Sequence, residues 1–340
     1  MEKSKVLIVY TGGTIGMVTD YSSGSLVAFD FDHLYDQVPE LKKLDIDIQA
    51  ISFETPIDSS EMNPKIWRKL ASIIYDNYEA YDGFVVLHGS DTMSYTASAL
   101  SFMLQGLKKP IILTGSQLPI GTIRTDGKEN LITAIELAGM KNSTGESTIQ
   151  EVAIYFEYSL YRGNRTTKVS ASEFEAFKSG NYPELAIAGV EIRFNESALY
   201  RTEKSSLAFY PDLCNDIALV KLFPGLPFQA YEPLFDIKKI TGIILSTYGA
   251  GNGPRDAKFE SILGNYIQKG GLILNITQCA SGAVEQGKYE TSQQFVKLGV
   301  LSGGELTTEA AITKLMHVCA LPINLNEKKA LLTHAICGEM

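Results

Sequence analysis

The chain of 340 residues is poor in the residues that build metal sites and disulfide frameworks. Its four histidines show no metal-ligand spacing, and its four cysteines, Cys214, Cys279, Cys319 and Cys337, form no CxxC pair. These features argue against a zinc hydrolase and favour reduced thiols in a cytoplasmic protein.

Long apolar runs and clusters of positive charge are also missing from the sequence. No apolar stretch approaches the ~20 residues that cross a bilayer, and the N-terminal MEKSK leads into a strand-like run, unlike a signal peptide. The net charge is −9, and no basic stripe is present to neutralise phosphates. We therefore expect neither a membrane nor a nucleic-acid partner.

The chain does contain a series of short apolar runs, each followed by glycine or small polar residues. Such runs are typical of strands buried on both faces of a parallel sheet. They lie at 6–10, 84–89, 111–116, 152–156, 217–223, 242–249 and 271–278. Helical patterns lie between several of them, from Asn63-Pro64, over 94–107, from Asp126 and over 255–269, which indicates βαβ units.

A polar stretch without clear periodicity interrupts this alternation near residues 195–216. We interpret residues 196–216 as a linker between an N-terminal domain, 1–195, and a C-terminal domain, 217–340. The predicted fold class is α/β. It comprises a larger, doubly wound and mostly parallel N-terminal sheet domain and a smaller C-terminal α/β domain.

Five loops rich in hydroxyl groups and glycine follow predicted strands. Small polar residues make good turns, so any one of these loops is explained as a turn. Five together indicate a ligand site, because open parallel sheets bind ligands outside the carboxyl ends of their strands. The loops read TGGTIG (11–16), HGSDT (88–92), TGSQLP (114–119), STYGAGNGP (246–254) and TQCASG (277–282).

The first of these loops does not match a phosphate-binding fingerprint. Its glycines are out of register with G-x-G-x-x-G, and no Walker A lysine follows. Its backbone N–H groups could hold a carboxylate or an oxyanion equally well. Thr14 in this loop could act as a nucleophile if another group accepted its proton.

Two further segments carry groups that could assist such a nucleophile. Ser90 and Asp91 are either a helix cap or a hydroxyl relay beside a carboxylate. The segment RGNRTTKVS (162–170) is either a solvated basic turn or the source of a lysine base, Lys168. A lysine base must be neutral, which burial favours and a neighbouring Asp91 opposes.

Taken together, these motifs resemble those of bacterial type I (cytoplasmic) L-asparaginases over nearly the whole chain. The matching stretches are TGGTIG, IDSSEMNP (57–64), LHGSDTM, ILTGSQLPI, YRGNRTTKVSASEFEAF, STYGAGN and NITQC. The resemblance implies an amidohydrolase that converts L-asparagine to L-aspartate and ammonia without a metal or organic cofactor. It also implies a homodimer or homotetramer whose active site is completed at a subunit interface.

The resemblance implies roles for individual residues. Thr14 would be the nucleophile that forms a β-acyl-enzyme, and Ser90, Asp91 and Lys168 would form a second triad. Asp91 would also bind the α-ammonium group of the substrate. The stretch that binds the α-carboxylate corresponds to Ser59, Ser60 and Glu61.

This sequence departs from the family pattern at three places. Ser90 replaces the usual threonine, which keeps the hydroxyl but loses the methyl group that restricts χ1. The flap that usually carries a tyrosine reads DYSSGSLV, so Tyr21 is our candidate for that role. In the C-terminal domain, which would carry the dimer interface and a possible effector site, Thr277 and Cys279 are present but Ser246 replaces an arginine. We therefore expect weak or absent activation by asparagine.

Three alternative functions remain open at this point. A nucleotide-dependent enzyme would bind phosphate at the first loop, against the glycine register. A non-catalytic amino-acid-binding relative would bind substrate without releasing ammonia. A dual asparaginase–glutaminase would tolerate one extra methylene, a discrimination worth only about 1–3 kcal/mol.

Overall fold

The structure, a computed structural model, describes residues 3–19, 26–28, 38–287 and 290–340. The chain divides into two compact units, Met1–Pro211 and Asp212–Met340. Tyr21 and the rest of its flap lie outside the described residues, apart from a short strand at Leu26–Ala28. Within the described ranges, no helix combines the length and apolar character needed to cross a membrane.

Unit 1 contains the larger sheet and three long helices. Its helices are α1 (Pro64–Asn77), α2 (Met93–Met103) and α3 (Gly127–Gly139). Its strands are β1 (Ser4–Gly12), β2 (Met17–Thr19), β3 (Leu26–Ala28), β4 (Ile46–Ile57), β5 (Gly83–Leu87), β6 (Leu104–Gln105), β7 (Ile111–Thr114), β8 (Val152–Phe156), β9 (Ser159–Arg162), β10 (Thr167–Lys168), β11 (Phe177–Lys178), β12 (Ala186–Ala188), β13 (Ile192–Phe194) and β14 (Ala208–Phe209).

The large sheet has the strand order β13-β12-β9-β8-β7-β5-β1-β4. Strands β4, β1, β5, β7 and β8 are parallel, whereas β9, β12 and β13 add an antiparallel edge. Residues of β5, β7 and β8 are buried throughout, as expected for strands covered on both faces. The carboxyl ends of the parallel strands therefore bring their loops to one edge of the sheet.

The helices of unit 1 start near the positions that the sequence predicts. The Asn63 side chain caps α1 by accepting hydrogen bonds from the N–H groups of Lys65 and Ile66. Helix α2 ends at Met103, earlier than the predicted residue 107, because the chain then pairs as β6 with β14. Asp126 precedes α3 but makes no capping hydrogen bond with its side chain.

Unit 2 contains a smaller parallel sheet with helices. The sheet has the order β15 (Ile217–Lys221), β16 (Gly242–Thr247), β17 (Leu272–Thr277) and β18 (Leu301–Ser302). Its helices are α4 (Phe228–Tyr231), α5 (Ala257–Gln268), α6 (Glu290–Leu298), α7 (Thr308–Ala320) and α8 (Leu325–Thr333). The predicted α/β fold class, with a larger mostly parallel sheet domain and a smaller α/β domain, is thereby confirmed.

Much of the segment between the two sheets is attached to unit 1. The N–H group of Tyr200 donates to Glu151, the Arg201 side chain donates to the carbonyl of Thr148, and β14 pairs with β6. The boundaries of the linker, 196–216, stay a prediction.

Candidate active site

The loop after β1 forms a tight turn that leads into a strand. Thr14–Gly16 is a single 3₁₀ turn, closed by a hydrogen bond from the Gly16 N–H to the Gly13 carbonyl, and β2 begins at Met17. The buried Tyr10 hydroxyl donates to the Gly16 carbonyl over 2.9 Å, and burial raises the pKa of Tyr10 to about 12. Because β2 follows directly, the loop lacks the helix N-terminus that helps phosphate loops bind anions.

The glycines of the first loop allow close contact with the neighbouring loops. Gly13 has φ +88°, and a Cβ atom there would lie 2.5 Å from the amide nitrogen of Gly89. Gly12 has φ +137°, and its Cβ would overlap the Ile57 carbonyl. The residues that follow Gly13 and Gly89 are Thr14 and Ser90, so the packing places the two hydroxyl-bearing residues on adjoining loop segments.

The loop after β4 packs against the second loop. Asp58 caps the 3₁₀ turn Ser59–Glu61 by accepting the Ser60 N–H over 2.8 Å, and this hydrogen bond lowers the pKa of Asp58. Ser59 is buried, and its Oγ would lie 2.5 Å from a Cβ on Gly89. Ser60 and Glu61 are exposed, and the N–H group of Glu61 donates to the Asp58 carbonyl. The N–H groups of Ser60 and Glu61 are thus bonded within the turn.

Lys168 lies against the second loop, although it is far from it in the sequence. Its Nζ donates to Ser90 Oγ over 2.8 Å and to Asp91 Oδ1 over 2.7 Å. The Lys168 side chain is 16% exposed, whereas that of Asp91 is 67% exposed. The structure therefore brings Ser90, Asp91 and Lys168 together, with Asp91 open to solvent.

Helix α2 contacts both segments that form this cluster, the Ser90–Thr92 turn and the turn that precedes Lys168. It begins directly after the 3₁₀ turn Ser90–Thr92, and Thr92 Oγ1 donates to the Ser59 carbonyl over 2.7 Å. Further along α2, Ala97 lies against Gly163, where a Cβ would approach to 2.8 Å. The turn Gly163–Arg165 precedes β10, which carries Lys168. The geometry of the cluster thus depends on the packing of one helix.

Sequence reasoning missed His88, which is fully buried behind the second loop. Its Nδ1 lies 2.6 Å from the Gly89 carbonyl oxygen, and its Nε2 lies 2.8 Å from Thr96 Oγ1. Burial lowers the pKa of His88 to about 4, despite the hydrogen bond to Gly89. The available signal was a polar residue at the end of the buried run FVVL, directly before glycine.

The third loop, 114–119, supports the second loop from behind. A Cβ on Gly115 would overlap the His88 carbonyl. The Asp126 carboxylate, instead of capping α3, accepts hydrogen bonds from the N–H groups of Gln117 and Leu118 at 2.9 and 3.1 Å. This hydrogen bonding explains why Asp126 precedes a helix without capping it.

The three candidate effector residues lie in unit 2. Thr277 Oγ1 donates to the Gly249 carbonyl over 2.6 Å and accepts the Cys279 N–H over 3.0 Å, and Cys279 is exposed. Ser246 is a buried residue of β16, and its carbonyl accepts a hydrogen bond from the Gln278 side chain. Thr277 thus links the fourth and fifth loops. In the described parts of both units, no three or more His, Cys, Asp or Glu side chains are grouped so that they could hold a metal ion.

Comparison with known proteins identifies the family. The family model "Asparaginase, N-terminal" matches residues 5–200, and "Glutaminase/Asparaginase C-terminal domain" matches residues 216–332. L-asparaginase 1 of Escherichia coli (strain K12) is 37% identical over 341 residues, which cover 100% of this chain and 99% of that protein.

Two solved structures are similar over the whole chain. L-asparaginase I from Vibrio cholerae has a TM-score of 0.89 and 34% identity, with 99% of each chain covered. The thermostable L-asparaginase from Thermococcus kodakarensis also has a TM-score of 0.89, with 29% identity and 99% of each chain covered. The family models and these relatives place the chain among α/β enzymes of the hydrolase class. Within that class, the chain belongs to the asparaginase family.

Proposed function

We propose that the protein is an L-asparaginase that hydrolyses the side-chain amide of L-asparagine, with Thr14 as its nucleophile. The observation that carries this proposal is the position of Lys168, hydrogen-bonded to Ser90 and Asp91 on a loop that packs against the Thr14 loop. Membership of the asparaginase family supports the same reaction.

The reaction proceeds in two acyl-transfer steps. Thr14 Oγ attacks the amide carbon, the C–N bond breaks, and ammonia leaves with the proton that the hydroxyl has lost. Water then attacks the ester, releases L-aspartate and returns a proton to Thr14. Backbone N–H groups of the first and second loops stabilise the oxyanion in both steps, because their glycines let the backbone approach closely.

The charged ends of the substrate bind to the second loop and to the loop after β4. Asp91 binds the α-ammonium group, since its carboxylate is exposed while Oδ1 is held by Lys168. The hydroxyl groups of Ser59 and Ser60 bind the α-carboxylate. The Glu61 carboxylate attracts the α-ammonium group. These contacts would hold the side-chain amide at a fixed distance from the Thr14 loop.

Two groups are candidates for the acceptor of the Thr14 proton: the Tyr21 phenol and the Ser90–Lys168 pair. Tyr21 lies outside the described residues, so its role stays a prediction. The variants Tyr21→Phe and Lys168→Met separate the two candidates, because the true acceptor controls the rate of acylation. If Tyr21→Phe leaves turnover intact, the Ser90–Lys168 pair carries the proton.

The proposal extends to the assembly and location of the protein. A cytoplasmic homodimer or homotetramer, with its active site completed by a second subunit, accords with the resemblance and with reduced cysteines. Light scattering combined with activity measured at increasing dilution tests this part. Full activity in a monomer would contradict it.

The decisive experiment measures ammonia release from L-asparagine and L-glutamine by wild type, Thr14→Ala and Thr11→Val. Thr11 is the matched control, because its hydroxyl donates to the Leu87 carbonyl inside the protein and removing it leaves Thr14 in place. We expect release by wild type and Thr11→Val and none by Thr14→Ala. Wild type that binds asparagine without releasing ammonia would support the non-catalytic alternative, and equal turnover of glutamine would support the dual one.

A further inference from the structure

A buried chain of hydrogen bonds runs from the single tryptophan of the protein to the second loop. Trp67 Nε1 on α1 donates to Thr96 Oγ1 on α2 over 2.9 Å. Thr96 Oγ1 lies 2.8 Å from His88 Nε2, and His88 Nδ1 lies 2.6 Å from the Gly89 carbonyl oxygen. Trp67 is 5% exposed and both other side chains are fully buried, so solvent does not compete for these bonds.

The groups at the two ends determine where each proton lies in this series of hydrogen bonds. The indole N–H can only donate, and the Gly89 carbonyl can only accept. Nδ1 of His88 must therefore carry the proton, and Nε2 must accept from the Thr96 hydroxyl, whose oxygen accepts from Trp67. The imidazole stays neutral because burial lowers the pKa of His88 to about 4.

This arrangement sets the orientation of the peptide group between Gly89 and Ser90. The carbonyl points toward the buried imidazole, and the peptide bond is trans. Because the C=O and N–H groups of a trans peptide point in opposite directions, the Ser90 N–H points away from the core. It therefore faces the half-exposed side of the loop.

We propose that His88 is a positioning residue for amide hydrolysis, which orients the Gly89–Ser90 peptide so that the Ser90 N–H stabilises the oxyanion. The proposal rests on the function proposed above. Thr96 and Trp67 act through His88 by hydrogen-bonding its Nε2 side and so holding the imidazole ring in place. Without the Thr96 hydroxyl, Nε2 loses its hydrogen-bond donor and the ring is held only by the Nδ1–H bond to the Gly89 carbonyl.

The kinetic test compares Thr96→Val, Thr96→Ser and Ser101→Ala. Ser101 is the matched control, because its buried hydroxyl on the same helix donates to the Ala97 carbonyl, away from His88. We expect Thr96→Val to lower kcat about tenfold with little change in KM, since an oxyanion donor acts in the transition state. Thr96→Ser should restore kcat. A fall in kcat that is no larger than in Ser101→Ala would overturn the proposal.

A spectroscopic test detects the tautomer of His88 in the wild-type protein directly. With ¹⁵N-histidine labelling, the four histidines give a small set of NMR signals, and His88→Asn assigns the signal of interest. We expect the Nδ1–H tautomer in wild type from pH 6 to pH 8, and a changed Nε2 shift in Thr96→Val, where the hydrogen bond from the Thr96 hydroxyl is lost. An Nε2–H tautomer in wild type would overturn the proposal. If wild type lacks amidase activity, the proposed function is overturned. The tautomer measurement then still tests whether His88 orients the Gly89–Ser90 peptide.

Discussion

Lys168 Nζ and Asp91 Oδ1 lie 2.7 Å apart, although 77 residues separate them in the sequence. The pair is asymmetric, because the lysine side chain is 16% exposed and the aspartate side chain 67%. Ion pairs with so much solvent contact contribute little to stability, about 0–1 kcal/mol. The value of this pair is therefore positional: it places an ammonium group beside Ser90 Oγ.

Replacing Lys168 should affect catalysis far more than folding. We expect Lys168→Met to lower kcat about 10²–10⁴-fold, the range for removal of a general acid–base group, and to change the free energy of unfolding by less than about 1 kcal/mol. Lys178→Met, on the neighbouring strand β11 and exposed, is the control. Steady-state kinetics and urea unfolding of both variants measure the difference. Equal losses of activity would contradict a role for Lys168.

Ser90 should be replaceable by threonine but not by alanine. Threonine keeps the oxygen that accepts the hydrogen bond from Lys168 and restricts χ1 further, so we expect Ser90→Thr to keep or improve kcat. Ser90→Ala removes the oxygen, and we expect a loss of about a hundredfold or more. Assays of ammonia release compare the two variants. A large loss in Ser90→Thr would mean that more than the hydroxyl is needed.

Gly13 is required for contact between loops as well as for its backbone conformation. Gly13→Ala and Gly145→Ala share a positive φ, +88° and +86°, so both strain the backbone, and Gly13→Ala should lose more stability because its ψ of 166° is a region that essentially only glycine adopts. Only at Gly13 would the new Cβ strike a backbone atom, the Gly89 nitrogen, while Gly145 has open space. We expect Gly13→Ala to lose most of its kcat/KM and Gly145→Ala to keep it. Equal activities would show that the loops adapt.

Acid should destabilise the protein partly through His88. Burial lowers the pKa of His88 to about 4 in the folded state, against about 6.5 in the unfolded chain. The unfolded state therefore binds more protons between these values, and the free energy of unfolding falls as the pH falls through this window. Between pH 7.5 and pH 5 the contribution is about 2 kcal/mol.

Urea unfolding of wild type and His88→Asn at these two pH values isolates this contribution. The buried Glu151, whose pKa is raised by burial, changes stability in the opposite sense but is present in both proteins and cancels. We expect wild type to lose more stability than the variant on acidification. The same loss in both would show that His88 does not titrate differently on folding.

Asparagine should follow simple saturation kinetics. Ser246 is buried in β16, at the position where the family resemblance implies an arginine that would pair with an effector carboxylate. The Thr277 hydroxyl is already bonded to Gly249 and to the N–H of Cys279. We expect a hyperbolic dependence of velocity on asparagine concentration, measured from well below to well above KM. A clearly sigmoidal curve would refute the prediction.

The strands that could be predicted are those buried on both faces. Continuous apolar residues identify β5, β7 and β8, since each position of these strands contacts the core. The predicted runs missed β4, which pairs with β1 at the edge of the sheet and is largely exposed. In its sequence, IDIQAISFETPI, apolar residues are interrupted by polar ones. An edge strand has one neighbour and an open face, so its composition resembles that of a loop.

The candidate site could likewise be predicted only in part. Thr14, Ser90, Asp91 and Lys168 could be singled out from their loops, and the resemblance added Ser59, Ser60 and Glu61. The role of His88 was missed, because what a buried histidine does depends on its hydrogen-bond partners. Those partners, Thr96 and the Gly89 carbonyl, are identified only when α2 has packed beside β5.

The sequence by itself determined the local elements: apolar runs that must be buried, the Asn63 cap, and glycines that permit positive φ. These follow from the properties of single residues and their near neighbours. Only the tertiary structure decided which loops touch, that Gly13 meets Gly89, and that Lys168 reaches Ser90 and Asp91. Such contacts depend on the order of strands in the sheet and on helix packing, to which residues far apart in the chain contribute together.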